Sequence, residues 1–180
     1  MIIESDLILV VDFEATCFDG CSDIDREIIE IGICCVDPRG GIASEYSSLV
    51  QPKFNTVSTY CTDITRITSK MVAEAPEFTA AIAEIRSWIE GMPDTPRQWI
   101  SWGTYDYVQM VQDCGRNGIT CPLPQHINAK KLFQKKFLKG ARQVGLKKAL
   151  EIMELPFLGQ HHRALSDARA LAQLVPFLLK

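Results

Sequence analysis

The sequence predicts an α/β domain built on a mixed sheet. Three strand-like segments, the second of them rich in Ile and Val, stand close together near the N-terminus. From residue 78 onward, helical periodicities alternate with a further short strand. Strands first, then helix and strand in alternation, give a sheet that needs helical cover.

Residues 7–13 form a short apolar run that ends in charge, the pattern of a buried strand. Residues 27–36 predict a second strand and residues 44–50 a third. The turn segment Asp37-Pro38-Arg39-Gly40-Gly41 between the last two makes an antiparallel hairpin, so the chain should open as a three-strand meander. Phe78, Ile82, Ile85 and Ile89 share one helical face, and Gly91 and Pro93 should stop that helix. Residues 98–102 predict a fourth strand and 105–115 a helix, with Val108, Val111 and Gln112 divided between core and solvent. Helices are expected over 130–137 and 146–153. Ala164, Ala168, Leu171, Val175 and Leu178 form a last helical stripe, which Pro176 should kink or cut.

At 180 residues the chain fits a single domain over 1–180, with no linker, repeat or low-complexity tract. The composition, 47% hydrophobic and 23% charged, excludes disorder, collagen and coiled coil. No apolar stretch reaches the ~18–20 residues that span a bilayer, so no membrane partner is expected. Seven cysteines, an odd number without a Cys-x-x-Cys pair, suit free thiols in a reducing cytoplasm better than zinc or disulfides. The net charge of −3 argues against bulk electrostatic binding of nucleic acid, but the charge is unevenly spread. Residues 1–30 hold Glu4, Asp6, Asp12, Glu14, Asp19, Asp23, Asp25, Glu27 and Glu30 against Arg26 alone. Residues 127–150 hold eight Lys and Arg with no acid, either solvated helix faces or a phosphate track.

Four carboxylates, at three places in the chain, are the candidates for chemistry. Asp12 and Glu14 stand two apart on a strand and so share a face. Two such carboxylates repel unless a cation lies between them, and a hard divalent ion is the natural one. Asp106 follows the fourth strand near a helix start, and Asp167 lies about one turn inside the last helix, after His161 and His162. Each alone reads as ordinary surface or helix-end chemistry.

Together, Asp12, Glu14, Asp106, His162 and Asp167 resemble the signature of the DEDDh group of DnaQ-like 3′–5′ exonucleases. The blocks Val11-Asp12-Phe13-Glu14-Ala15-Thr16-Cys17, Glu27-Ile28-Ile29-Glu30-Ile31-Gly32 and Tyr60-Cys61-Thr62-Asp63-Ile64-Thr65-Arg66-Ile67 are similar to its Eri-type and KapD-like branch. So are Trp102-Gly103-Thr104-Tyr105-Asp106 and His162-Arg163-Ala164-Leu165-Ser166-Asp167. The resemblance implies an RNase H-like fold, a mixed five-stranded sheet flanked by helices. Arg66 stands where the pattern expects a Gly, often needed for positive φ, and Ser166 replaces a frequent acid.

The resemblance also implies a two-metal-ion hydrolysis of phosphodiesters with Mg²⁺ or Mn²⁺. Asp12 would bridge two ions, Glu14 and Asp167 would complete one site, and Asp106 would serve from an outer layer. His162, five before Asp167, is the expected general base, with His161 its competitor. Tyr60 and Tyr105 would stack on the terminal nucleotide, with Phe13, Ala15 and Thr16 beside it. The expected partner is the 3′ end of single-stranded RNA or DNA, RNA favoured. Alternatives are a DNA-directed exonuclease, a regulatory binding protein with weak turnover, and a phosphatase of mononucleotides.

Overall fold

The computed structural model describes residues 7–20, 25–92, 96 and 98–179. Glu4, Asp6, Cys21, Asp23 and Pro93 lie outside the described residues. The sheet has five strands: β1 (Ile8–Ala15), β2 (Ile28–Val36), β3 (Ile42–Leu49), β4 (Gln98–Ser101) and β5 (Gln125–Asn128). Their order is β3-β2-β1-β4-β5. The first three pair antiparallel, as the Pro/Gly turn requires, and β4 and β5 add in parallel beyond β1. The helices among the described residues are α1 (Thr59–Thr65), α2 (Ser69–Val72), α3 (Phe78–Glu90), α4 (Tyr105–Arg116), α5 (Ala129–Phe137), α6 (Leu146–Ile152), α7 (Ala164–Ala172) and α8 (Val175–Leu178).

Alternation along the central strand β1 divides the core. Leu9, Val11 and Phe13 join Ile33, Cys35 and Trp99 beneath α3 and α4. Ile8 and Val10 join Cys34, Val36 and Ile100 beneath α5, α6, α7 and α8. The strand is covered on both faces, which is why it reads as a continuous apolar run. A smaller cluster of Ile29, Val57, Cys61, Ile67 and Val72 seats α1 and α2 at the sheet's edge.

The final stripe is broken as Pro176 requires: α7 stops at Ala172, and α8 restarts with the proline in its first turn. The helix after β4 departs from expectation. Val108 and Val111 are both exposed, while Gln109 and Asp113 are buried. Asp113 accepts the Ile28 N–H at 2.8 Å, and Gln109 donates to the Arg26 carbonyl at 2.8 Å. Beside the buried Met110 and Cys114, part of the inner face of α4 is polar because it satisfies backbone groups where β2 begins. Arg66 adopts φ 62 and closes α1 as a left-handed cap, its N–H bonded to the Thr62 carbonyl at 2.8 Å. The loop keeps the glycine's backbone conformation with an arginine in place.

Candidate active site

The alternation that buries Ile8 and Val10 carries Asp12 and Glu14 onto the same face, toward α7. Asp12 pairs in register with Gly32 of β2. A methyl group at Gly32 would stand 2.2 Å from the Ala164 carbonyl carbon and the Leu165 nitrogen. Only a residue with no side chain lets the start of α7 lie this close on the sheet. Asp167 follows one turn later. One ligand oxygen from each of Asp12, Glu14 and Asp167 lies within 4.8 Å of the others.

Asp106 approaches from the first turn of α4. The β1–β4 pairing runs only as far as Val10 and Ile100. The Phe13 N–H, past that point, donates instead to Asp106 Oδ1 at 3.1 Å. Ser101 also hydrogen-bonds Asp106, and its hydroxyl meets His126 Nε2 at 3.0 Å. Asp106 thus stands beside the cluster of three carboxylates, held by backbone and hydroxyl.

Burial raises the Asp12 carboxyl well above the usual range, and the charges of Asp106, Asp167, Glu14 and Glu30 add to the rise. Burial, then Asp167, Glu30 and Asp106, push Glu14 up to about 8. Asp106 is raised to about 6 by burial, against the opposing pull of the Phe13 N–H and Ser101. Arg163 lowers Glu14 only as the last contributor, because its guanidinium is engaged by Glu30. A set of carboxylate oxygens, crowded and short of positive charge, fits a hard divalent cation.

The two histidines divide their roles. His161 Nδ1 lies 2.8 Å from Asp167 Oδ1. His162, at φ 62, turns its backbone N–H to Asp167 Oδ2 at 2.8 Å. The expected convergence of His162 and Asp167 is therefore made by backbone, and the imidazole on the carboxylate belongs to His161. The rings stack with centroids 4.0 Å apart. The His162 ring makes no hydrogen bond among the described residues. Its pKa is lowered by loss of hydration and by His161, so it is neutral near pH 7.

A cleft of about 480 Å³ opens over these groups. Phe13 and Ala15 line it, as do Tyr60 and Tyr105, whose exposures of 42% and 44% rule out core packing as their role. Thr16 corrects the expectation: it is fully buried, its hydroxyl accepting the Glu27 N–H at 3.0 Å, and it does not line the cleft. It completes the end of the β1–β2 pairing. Arg26, Trp102 and Leu146 line the cleft without having been singled out in the sequence. Arg26 lies 5.9 Å over the Tyr105 ring. Its signal was its isolation as the one cation among the N-terminal acids.

The model of the Exonuclease family, RNase_T, matches residues 9–175. The chain belongs to this family. It is 32% identical over 166 residues to the probable 3′-5′ exonuclease KapD of Bacillus subtilis, covering 89% of this chain and 78% of that protein. It is 27% identical to ERI1 exoribonuclease 2 of Danio rerio, covering 93% of this chain and 34% of that protein. The chain thus spans about a third of the length of that relative. Among solved structures, the nuclease domain of 3′hExo, a DEDDh family member bound to rAMP, superposes with a TM-score of 0.83 at 24% identity, over 97% of this chain and 92% of that one. Cell-death related nuclease 4 gives 0.85 at 22%, over 98% and 64%. The family fold is the RNase H-like sheet expected from the sequence, and the family implies use of a divalent metal.

Proposed function

We propose that this chain is a 3′–5′ exonuclease that removes nucleoside 5′-monophosphates from single-stranded nucleic acid, RNA before DNA, with Mg²⁺ or Mn²⁺. The reading rests on Asp12, Glu14 and Asp167 within 4.8 Å of one another at the floor of an aromatic-walled cleft. Asp12, Glu14 and Asp167 would hold the ions, with Asp106 beside them. When bound, the ions supply Lewis-acid activation of water and neutralise charge on the phosphoryl oxygens.

The remaining roles fall to the chain itself. Tyr60 and Tyr105 stack on the terminal nucleotide, and Phe13 and Ala15 close the cleft around it. His162, its pKa lowered and its ring without a hydrogen-bond partner among the described residues, accepts the proton of the attacking water. His161 orients Asp167 through its 2.8 Å contact. Water adds to phosphorus, the bond to the penultimate 3′ oxygen breaks, and that oxygen takes a proton from solvent, so the departing nucleotide keeps its 5′-phosphate and the strand regains a 3′ hydroxyl. The RNA preference is supported by the relatives named exoribonucleases and by the neighbour bound to rAMP. The domain is proposed to act as a single unit in a reducing cytoplasm, where the described cysteines stay free as they are here.

The test is one gel of 5′-labelled single-stranded RNA and DNA with Mg²⁺, Mn²⁺ or EDTA, beside Asp167→Ala. A ladder shortening from the 3′ end, lost in EDTA and in the variant, is expected. No shortening of either polymer would sink the reading.

A further inference from the structure

A second depression, of about 540 Å³, lies along α5 and the loop that follows it. Its walls are Lys131, Leu132, Gln134, Lys135, Lys139 and Gly140. Lys131 and Lys135 are one four-residue step apart on α5, a rise of ~6 Å. Lys139 continues the row past the cap residue Leu138. It does so because the backbone reverses there, with Lys139 at φ 47 and Gly140 at φ 83. Gln134 holds that reversal: its Nε2 donates to the Ala141 carbonyl at 2.8 Å, and its Oε1 accepts from Gln143 at 3.0 Å. The loop is folded back on the helix, and the three lysines edge the groove between them.

The charge in this groove is unbalanced. Residues 127–150 contain no acid. Lys131, Lys135 and Lys139 are exposed and form no ion pair among the described residues, whereas Lys148 pairs with Glu151 at 2.9 Å. Three ammonium groups along one groove suit a ligand with regularly repeated negative charge. The loop that walls the groove runs on in the chain to the wall of the active-site cleft. Trp102 lines the cleft and donates its Nε1 to the Val144 carbonyl at 3.1 Å, and Gly145 and Leu146, next along the loop, line the cleft too.

We propose that this groove holds the phosphates of the substrate strand upstream of the nucleotides in the cleft. The proposal rests on the exonuclease reading for the identity of the strand. It makes the basic run 130–148 a length-sensing element, engaged by long single strands and out of reach of a trinucleotide.

The experiment compares the wild-type chain with K131E/K135E/K139E and with the milder K131Q/K135Q/K139Q, on a 20-mer and a trinucleotide of single-stranded RNA across a salt series. At roughly 0.7 per phosphate contact on a single strand, the slope of log KM against log salt on the 20-mer should flatten by about 2. KM at low salt should rise on the order of tenfold or more, as three lost phosphate contacts require. Trinucleotide kinetics and kcat should not change. An unchanged 20-mer slope in both variants overturns the proposal, as does equal loss on the trinucleotide. Fluorescence anisotropy of the labelled 20-mer in EDTA separates this from the exonuclease reading. If no strand is shortened but the lysine variants lose 20-mer binding, the groove stands and the activity falls. Equal competition by polyglutamate of matched charge would assign the groove to an acidic protein and overturn the proposal.

Discussion

Glu30 on β2 grips Arg163 at the start of α7 with hydrogen bonds of 2.6, 3.0 and 3.1 Å. The same carboxylate accepts the Ala164 N–H at 2.9 Å. One buried acid therefore caps the helix that carries Asp167 and engages Arg163, the guanidinium that acts on Glu14. Glu30→Gln should lower stability by ~1–3 kcal/mol, the usual cost of weakening a buried charged hydrogen bond, read as a lower Tm. It should also release Arg163 toward Glu14 and raise the divalent-ion concentration that gives half-maximal activity. An unchanged ion requirement would mean that Arg163 is held by something else.

Crowding of the carboxylates makes stability depend on pH and on cations. Glu14 rises from 4.5 to about 8 on folding, and Asp12 rises as well. A raised carboxyl pKa contributes stability that is complete below the unfolded value and is lost as pH climbs through the folded value. In EDTA, Tm should therefore fall between about pH 4.5 and pH 8, apart from effects of other groups. Saturating Mg²⁺ or Mn²⁺ should reduce that fall. Asp167→Asn should abolish turnover yet raise Tm in EDTA near pH 8, because it removes one of the repelling charges. A lower Tm for that variant in EDTA would count against repulsion as the dominant effect.

The histidines should separate kinetically. His162→Ala should cost ~10²–10⁴-fold in kcat, the usual range for a general base. It should also remove the acidic limb of the pH–rate profile, which the neutral His162 ring places below the ordinary histidine value. His161→Ala should keep that limb and act on ion affinity through Asp167. Loss of the limb in His161→Ala alone would exchange the two assignments.

Tyr60→Ala and Tyr105→Ala should each weaken substrate binding by ~1–3 kcal/mol, with the same loss for every terminal base, because stacking tolerates any base. Phenylalanine at either position should restore most of it. At position 105 it also removes the hydroxyl bonded to Arg26, so a shortfall confined to that site would show that Arg26 takes part.

Gly32→Ala should be more damaging than its single methyl group suggests. The added carbon meets helix backbone at 2.2 Å, which cannot rotate away. Overpacking of this kind costs ~1–3 kcal/mol, and the displacement moves Asp167 directly. Activity should therefore fall further than stability, and added Mn²⁺ should recover part of it.

What the sequence made legible follows from how local each signal is. β1, β2 and β4 were readable because burial leaves apolar runs, and Asp12 and Glu14 because strand period places them together. β5 was missed: Gln125–Asn128 is four residues of mostly polar character after Pro122 and Pro124, and it pairs only along β4. α1 is legible as a motif but not as a helix, since Thr59–Thr65 is rich in threonine and is capped by Ser58 from outside the run. Val108 and Val111 mislead because the buried face of α4 is shared between Met110 and Cys114 in the core and Gln109 and Asp113, which serve backbone groups of another element. His161 on Asp167 was also hidden, since it depends on the positive φ of His162. Thr16 was misassigned because its neighbours in sequence are cleft residues and its own partner, Glu27, is not.

The proximity of α7 to the sheet has a consequence for biogenesis. Asp12 and Asp167 lie on elements far apart in the sequence, and the proposed metal ligands come together only when Ala164 settles against Gly32. A ribosome-bound chain that has already paired its first three strands still lacks a complete ligand set. However much of the sheet has formed by then, the cluster of three carboxylates is incomplete until α7 has been made and packed.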